Sequence, residues 1–157
     1  MIRIVTGKIN SFKTQRMIDL YKSEGKGDGY VSLKMMLKDK VHSYQALRLS
    51  TGEKHPLVVR DEFVYEEFPI GCRIGPYLFN QITVDTIIRE ISQMIKKRIE
   101  PIFLDEVGLL EIEGKCFDPI VRRMVDSGLD SVFSVREDLI EKFVAKYNIK
   151  EYRILRN

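Results

Sequence analysis

The sequence has no tryptophan, only two histidines and two cysteines, and only five prolines in 157 residues. Each shortage narrows the possibilities. His42 and His55 have no cysteine or carboxylate cluster beside them, so neither is a candidate metal ligand. Cys72 and Cys116 lack paired-ligand spacing and are too few for a disulfide framework. They read as two thiols in a reducing cytoplasm. There is no apolar run long enough to span a bilayer and no signal-peptide pattern, so the expectation is a cytoplasmic protein without a membrane partner. The charge excess is also small, at +3. Lys96-Lys97-Arg98 and Arg122-Arg123 are short clusters inside helical patterns. They read as solvated faces, not as a nucleic-acid footprint. Nothing indicates an oligomeric state.

What remains suits a single α/β domain over residues 1–157, with 44% hydrophobic and 31% charged residues. Ile2, Ile4 and Val5 form a short apolar run ending at Gly7, as in a buried parallel strand. Thr14, Met17, Ile18 and Tyr21 then recur at helical spacing, and Gly25 is a stop signal. Gly25 to Gly29 reads as a flexible connection. Tyr30–Leu37, Val41–Leu49 and Leu57–Val59 read as short strands joined by polar turns, which predicts an antiparallel β-hairpin insertion over about residues 28–60. Asp61–Pro76 reads as loop with a short strand near Cys72–Ile74.

From Thr83, a candidate N-cap, Val84, Ile87, Ile88, Ile91, Met94 and Ile95 share one helical face. Pro101–Leu104 is a second apolar strand. Asp118-Pro119 predicts an N-cap and first-turn pair for a helix closed by Gly128. Ser131–Val135, a helix over Leu139–Tyr147 and a strand over Tyr152–Leu155 complete an alternation typical of parallel β-α-β units. The fold expected is a three-layer one: a mainly parallel sheet, helices on both faces and the inserted hairpin.

Two stretches carry chemistry. Gly7-Lys8-Ile9-Asn10-Ser11-Phe12-Lys13-Thr14 is nearly the phosphate-binding loop G-x-x-x-x-G-K-[ST]. A strand feeding a helix through such a turn aims backbone N–H groups and the positive end of the helix at one point. Lys13 adds a cation for the β- and γ-phosphates, and Thr14 offers a hydroxyl to Mg²⁺. Phe12 stands where the second glycine belongs. A Phe forced to positive φ is an outlier, so the loop either takes another path with the ring turned outward or binds phosphate weakly. The second stretch is Ile102-Phe103-Leu104-Asp105-Glu106, an apolar strand ending in two carboxylates. There Asp105 suits a Mg²⁺ shell, and Glu106 suits orientation of an attacking water.

Asp105-Glu106-Val107-Gly108-Leu109-Leu110-Glu111, followed by Phe117, resembles the D-E-[IV]-G-x-[ML]-E…F signature of the THEP1-type nucleoside-triphosphatases, a P-loop NTPase branch. Gly29-Tyr30 with Leu47–Glu53 resembles the family's hairpin and L-x-T-G-E turn. Ile74-Gly75-Pro76-Tyr77 resembles its G-x-Y segment. The resemblance implies a P-loop NTPase-like fold and Mg²⁺-dependent hydrolysis of nucleoside 5′-triphosphates, ATP among them, with loose base preference. Its loop departs from the family's G-x-x-G-x-G-K-T-T: Asn10, Phe12 and Gln15 stand at the middle glycine, last glycine and second threonine. A slowed reaction is therefore expected. A nucleotide-binding module without hydrolysis and an interaction protein that lost its ligand are the other readings. Glu111 aligns with the signature's last Glu without a role that chemistry dictates. Arg73 is either a charge-stabilising finger or a solvated side chain.

Overall fold

The computed structural model describes residues 1–9 and 11–156. Among them, nine strands join one sheet. β1 (Ile2–Gly7) is followed by α1 (Lys13–Glu24), then β2 (Asp28–Leu37), β3 (Lys40–Arg48) and β4 (Lys54–Arg60). β5 (Ile70–Ile74) and β6 (Tyr77–Asn80) lead into α2 (Gln81–Lys96). β7 (Ile102–Leu104), a single turn α3 (Leu109–Ile112), α4 (Asp118–Asp126), β8 (Ser131–Arg136), α5 (Ile140–Lys146) and β9 (Tyr152–Leu155) follow.

The strand order is β5-β6-β4-β3-β2-β7-β8-β1-β9. The five strands from β2 to β9 pair in parallel. The wing from β2 out to β5 pairs antiparallel. The fold is therefore the α/β, P-loop NTPase-like one expected. Its antiparallel part runs on beyond residue 60 to Asn80, because β6 extends the wing from β4. β6 is only four residues long and sits between Pro76 and a helix, so no alternation in the sequence marks it.

Both faces of the parallel strands are covered, as their apolar runs require. On one side Met17 of α1 packs with Val5, Val31, Phe103 and Val132. On the other, Ile87 and Ile91 of α2, Ile120 and Met124 of α4, and Phe143 of α5 pack with Ile4, Ile102 and Phe133. Alternate residues of one strand thus serve opposite cores: Phe103 faces α1, while Ile102 and Leu104 face the larger layer. Fully burying one such side chain contributes about 1.5–3 kcal/mol.

Several local expectations change. The cap of α2 is Asn80, whose side chain accepts from the Thr83 N–H at 3.1 Å. Thr83 lies inside the helix, and its hydroxyl donates to the Pro56 carbonyl at 2.6 Å. Asp118 and Pro119 likewise lie inside α4, which Phe117 precedes. The Gly25–Gly29 connection gives way to β2 at Asp28, a buried carboxylate held by Arg48 at 2.8 Å and by the N–H groups of Gly29 and Ser50. Gly29 is required there: at φ +143° a Cβ would lie 2.1 Å from the Phe103 carbonyl oxygen. The Leu47–Glu53 turn motif is thus structural, with Arg48 as its anchor. Finally, Cys72 and Cys116 are not free thiols but a disulfide, joining β5 to the segment between α3 and α4. Their 44-residue separation hides that meeting from sequence.

Among the described residues, no helix is long and apolar enough to cross a membrane.

Candidate functional site

The parallel strands deliver their C-terminal ends to one edge of the sheet, where open α/β sheets bind ligands. β1 ends there at Gly7, β7 just before Asp105, and β8 at Arg136. β8 lies between the other two.

The loop after β1 leads tightly into α1. A Cβ on Gly7 would lie 2.2 Å from the Ser11 hydroxyl oxygen and 2.9 Å from its Cβ, so any larger residue would have to displace Ser11. Lys8 and Ile9 are exposed; Asn10 lies outside the described residues. The Ser11 hydroxyl is buried without a hydrogen-bond partner among the described residues. Phe12 adopts the left-handed conformation at φ 62°, ψ 30° and turns its ring outward, 78% exposed. The ring turns outward as expected, but the backbone takes the left-handed conformation a glycine would adopt there and not another path. Its cost is about 1–3 kcal/mol of backbone strain. The Phe12 carbonyl still accepts from Arg16 N–H at 3.1 Å, the first turn of α1. No side chain caps α1, and no acidic residue occupies its first turn, so its N-terminal end remains electropositive. Arg16 pins this helix to the sheet by donating to the Thr6 and Leu155 carbonyls at 2.8 and 2.6 Å.

Lys13 is buried, and its ammonium donates to the Lys8 carbonyl across the loop at 3.0 Å. Thr14 donates its hydroxyl proton to Asp105 Oδ2 at 2.6 Å. Asp105 is buried as well, and the Ser32 N–H donates to the same oxygen at 3.0 Å. Its Oδ1 accepts from the Ser134 hydroxyl and from the Glu106 N–H. Burial raises the Asp105 pKa; the hydrogen bonds from Ser134, Ser32, Thr14 and Glu106 oppose the rise.

Glu106 has positive φ, 60°, which swings its side chain out of the strand direction. By surface area Glu106 is exposed where it lines the cavity, while protein atoms crowd close around its carboxyl group. Its removal from bulk water, with Asp105 beside it, pushes the pKa up to about 7, against the pull of Lys13, Lys34 and Arg136. Thr14 and Asp105 together present a hydroxyl and a carboxylate, hard oxygen donors of the kind Mg²⁺ takes from a protein while phosphate and water complete its shell. The pair fits such an ion.

Two further candidates separate from this cluster. Glu111 is buried and closes α3 locally: its carboxylate accepts from the Gly108 N–H at 2.8 Å and the Phe117 N–H at 3.2 Å. Burial pushes its pKa to about 7. Arg73 is tied to Asp61 at 2.9 Å and to the Gly75 carbonyl at 3.0 Å on the wing. Ser134, not among the residues expected at the site, binds Asp105 and also accepts from the Glu106 N–H at 2.7 Å. Its signal was a polar residue inside the apolar run Val132-Phe133-Ser134-Val135. Arg136, Lys34 and Tyr44, which line the same cavity, carried no comparable signal.

One cavity of about 940 Å³ connects Lys13, Thr14, Asp105 and Glu106 with aromatic residues of the wing. The Tyr44 hydroxyl in it is raised to about 12, first by burial, then by Tyr77, Glu106 and Asp105.

Comparisons with known proteins agree with this architecture. THEP1 from the hyperthermophile Aquifex aeolicus superposes with a TM-score of 0.70 at 19% identity, covering 99% of this chain and 89% of that one. A human cancer-related nucleoside triphosphatase superposes with a TM-score of 0.63 at 17% identity, covering 98% of this chain and 86% of that one. At such identities the likeness concerns the fold. No curated protein matches the sequence. The NTPase family model matches residues 3–156. With nearly its whole length matched and the loop and Asp105-Glu106 strand meeting at one sheet edge, the chain belongs to the THEP1-type NTPase family of P-loop proteins.

Proposed function

We propose that this protein hydrolyses nucleoside 5′-triphosphates to the diphosphate and phosphate with Mg²⁺, acting as one domain over residues 1–157. The observation that carries the reading is the Thr14–Asp105 hydrogen bond, which joins the loop to the carboxylate strand beside the buried Lys13. The triphosphate lies over the loop from Gly7 to Thr14 and the uncapped N-terminus of α1. Lys13 exchanges its contact with the Lys8 carbonyl for phosphate oxygens, so a cation is already in place before substrate arrives. Thr14 and Asp105 would hold Mg²⁺, which neutralises charge on the β- and γ-phosphate oxygens. Ser134 and the Ser32 N–H hold Asp105 in place. Glu106 orients water toward the γ-phosphorus; the new P–O bond forms as the bond to the β-phosphate oxygen breaks. Phe12 places a Cβ and a strained backbone where glycine would let phosphate approach closely, so we expect turnover slower than from a loop with glycine there.

The test is phosphate release from ATP, GTP and CTP with and without Mg²⁺, beside Lys13→Ala and Glu106→Gln. Removal of one preorganised charge-stabilising group costs roughly 100-fold or more. Wild-type release no greater than that of Lys13→Ala would end the hydrolase reading.

A further inference from the structure

The cavity is much larger than a water nucleophile needs. Strand register places Lys34, Tyr44, Val58 and Phe79 in one lateral row across β2, β3, β4 and β6. All four line the cavity. Three interstrand spacings make this floor roughly 14 Å long. Tyr44 and Phe79 are only half-buried, so their rings are not fully used by the core. Tyr77 meets Tyr44 edge-to-face at 6.0 Å, and Phe117 closes on Phe79 at 6.5 Å. Of the charged lining, Lys13, Lys34, Asp105 and Arg136 gather around Glu106, and Glu111 is buried with its carboxylate on the Gly108 and Phe117 N–H groups.

Position along the sheet decides what this chamber takes. The loop leaves β1; Glu106 follows β7, two strands away; the aromatic floor continues in the same direction over the wing. In an in-line displacement the nucleophile and the leaving diphosphate lie on opposite sides of the γ-phosphorus. If Glu106 orients the nucleophile, the chamber beyond it is on the nucleophile's side. The nucleobase, carried by the leaving group, belongs on the other.

We propose that the chamber binds an uncharged aromatic or heteroaromatic primary alcohol and that the protein transfers the γ-phosphoryl group to it. This rests on the hydrolase reading above and replaces water with a second substrate. The alcohol oxygen forms a bond to the γ-phosphorus as the bond to the β-phosphate oxygen breaks. The hydroxyl proton passes to the Glu106 carboxylate, and nucleoside diphosphate leaves. The ring packs over this floor against Tyr44 and Phe79, where apolar walls disfavour a charged acceptor.

The experiment uses γ-labelled ATP and Mg²⁺ with benzyl alcohol or 3-pyridinemethanol as acceptor. The expected result is a labelled phosphate ester formed at the expense of inorganic phosphate. The ester-to-phosphate ratio should fall roughly tenfold in Phe79→Ala. Phe79→Leu keeps apolar volume but lacks the ring, so the same fall there identifies stacking and not misfolding. In a second measurement, saturation-transfer NMR on protein free of metal and nucleotide should detect benzyl alcohol, less strongly in Phe79→Leu. Normal release of inorganic phosphate with no ester from either alcohol overturns this inference alone. Displacement of benzyl alcohol by ATP overturns it too, since the chamber would then hold the base. Loss of transfer to water and alcohol alike removes the hydrolase reading with it.

Discussion

Thr14 reaches Asp105 across 91 residues of sequence and a whole intervening strand, donating its hydroxyl at 2.6 Å. The first turn of α1 and the end of β7 therefore act on one point. Thr14→Ala and Asp105→Asn should each reduce Mg²⁺-stimulated phosphate release, and the double variant should lose much less than the sum of both. The expected coupling is about 1–3 kcal/mol, measured by a double-mutant cycle on kcat/KM.

Phe12 is a second point of leverage. Its backbone is left-handed and its ring largely in water, so the side chain contributes strain and little packing. Phe12→Gly should raise stability by about 1 kcal/mol, seen as a higher thermal midpoint. It should also tighten nucleotide binding in calorimetry. Phe12→Ala keeps a Cβ at positive φ and should do neither to the same extent.

Glu111 makes stability depend on pH. Burial raises its pKa from 4.5 to about 7 in the folded protein. Below pH 4.5 the acid is neutral in both states, and its contribution is fully present. As pH rises, the unfolded chain loses its proton first, so stability falls until pH passes about 7. The loss from this group is about 3 kcal/mol. Urea titrations between pH 4.5 and 8 should show this decline in wild type, shallower by that amount in Glu111→Gln.

The Cys72–Cys116 bond closes a loop of 44 residues that includes α2 and β7. Its loss should destabilise the protein by up to about 4 kcal/mol through unfolded-chain entropy. Thiol counting on denatured protein should find none before reduction and two after it. Cys72→Ser should then match the reduced wild type in urea unfolding.

Buried Asp28 tests the turn motif independently of nucleotide. It bonds Arg48 and two backbone N–H groups at the edge of β2 remote from Lys13. Asp28→Ala leaves the Gly29 and Ser50 N–H groups without their acceptor and Arg48 with Glu90, at 3.4 Å, in place of a shared pair, and should cost about 3 kcal/mol in urea unfolding.

Elements with continuous apolar runs or helical periodicity were legible from sequence: β1, β7 and β9 lie where the runs predict them, and α2 where its stripe does. Boundaries set by a single side chain were not. Asn80 caps α2 because its carboxamide meets the Thr83 N–H, and Thr83 is equally suited by residue type. β6 exists because β4 has an open edge, a fact about neighbours and not about Tyr77–Asn80 themselves. Ser134 belongs to the site only because β8 runs between β1 and β7.

The amino-acid order alone determined the residue types of the Gly7–Thr14 loop, the carboxylate pair after an apolar strand, and the alternation of strands and helices. Those depend on interactions within a few residues. Tertiary structure decided which carboxylate oxygen meets Thr14, that Phe12 turns outward in a glycine-like backbone, that two cysteines meet, and that a row of rings extends the site over the wing. Each is a contact between distant segments, and strand order and register set such distances where local propensity cannot.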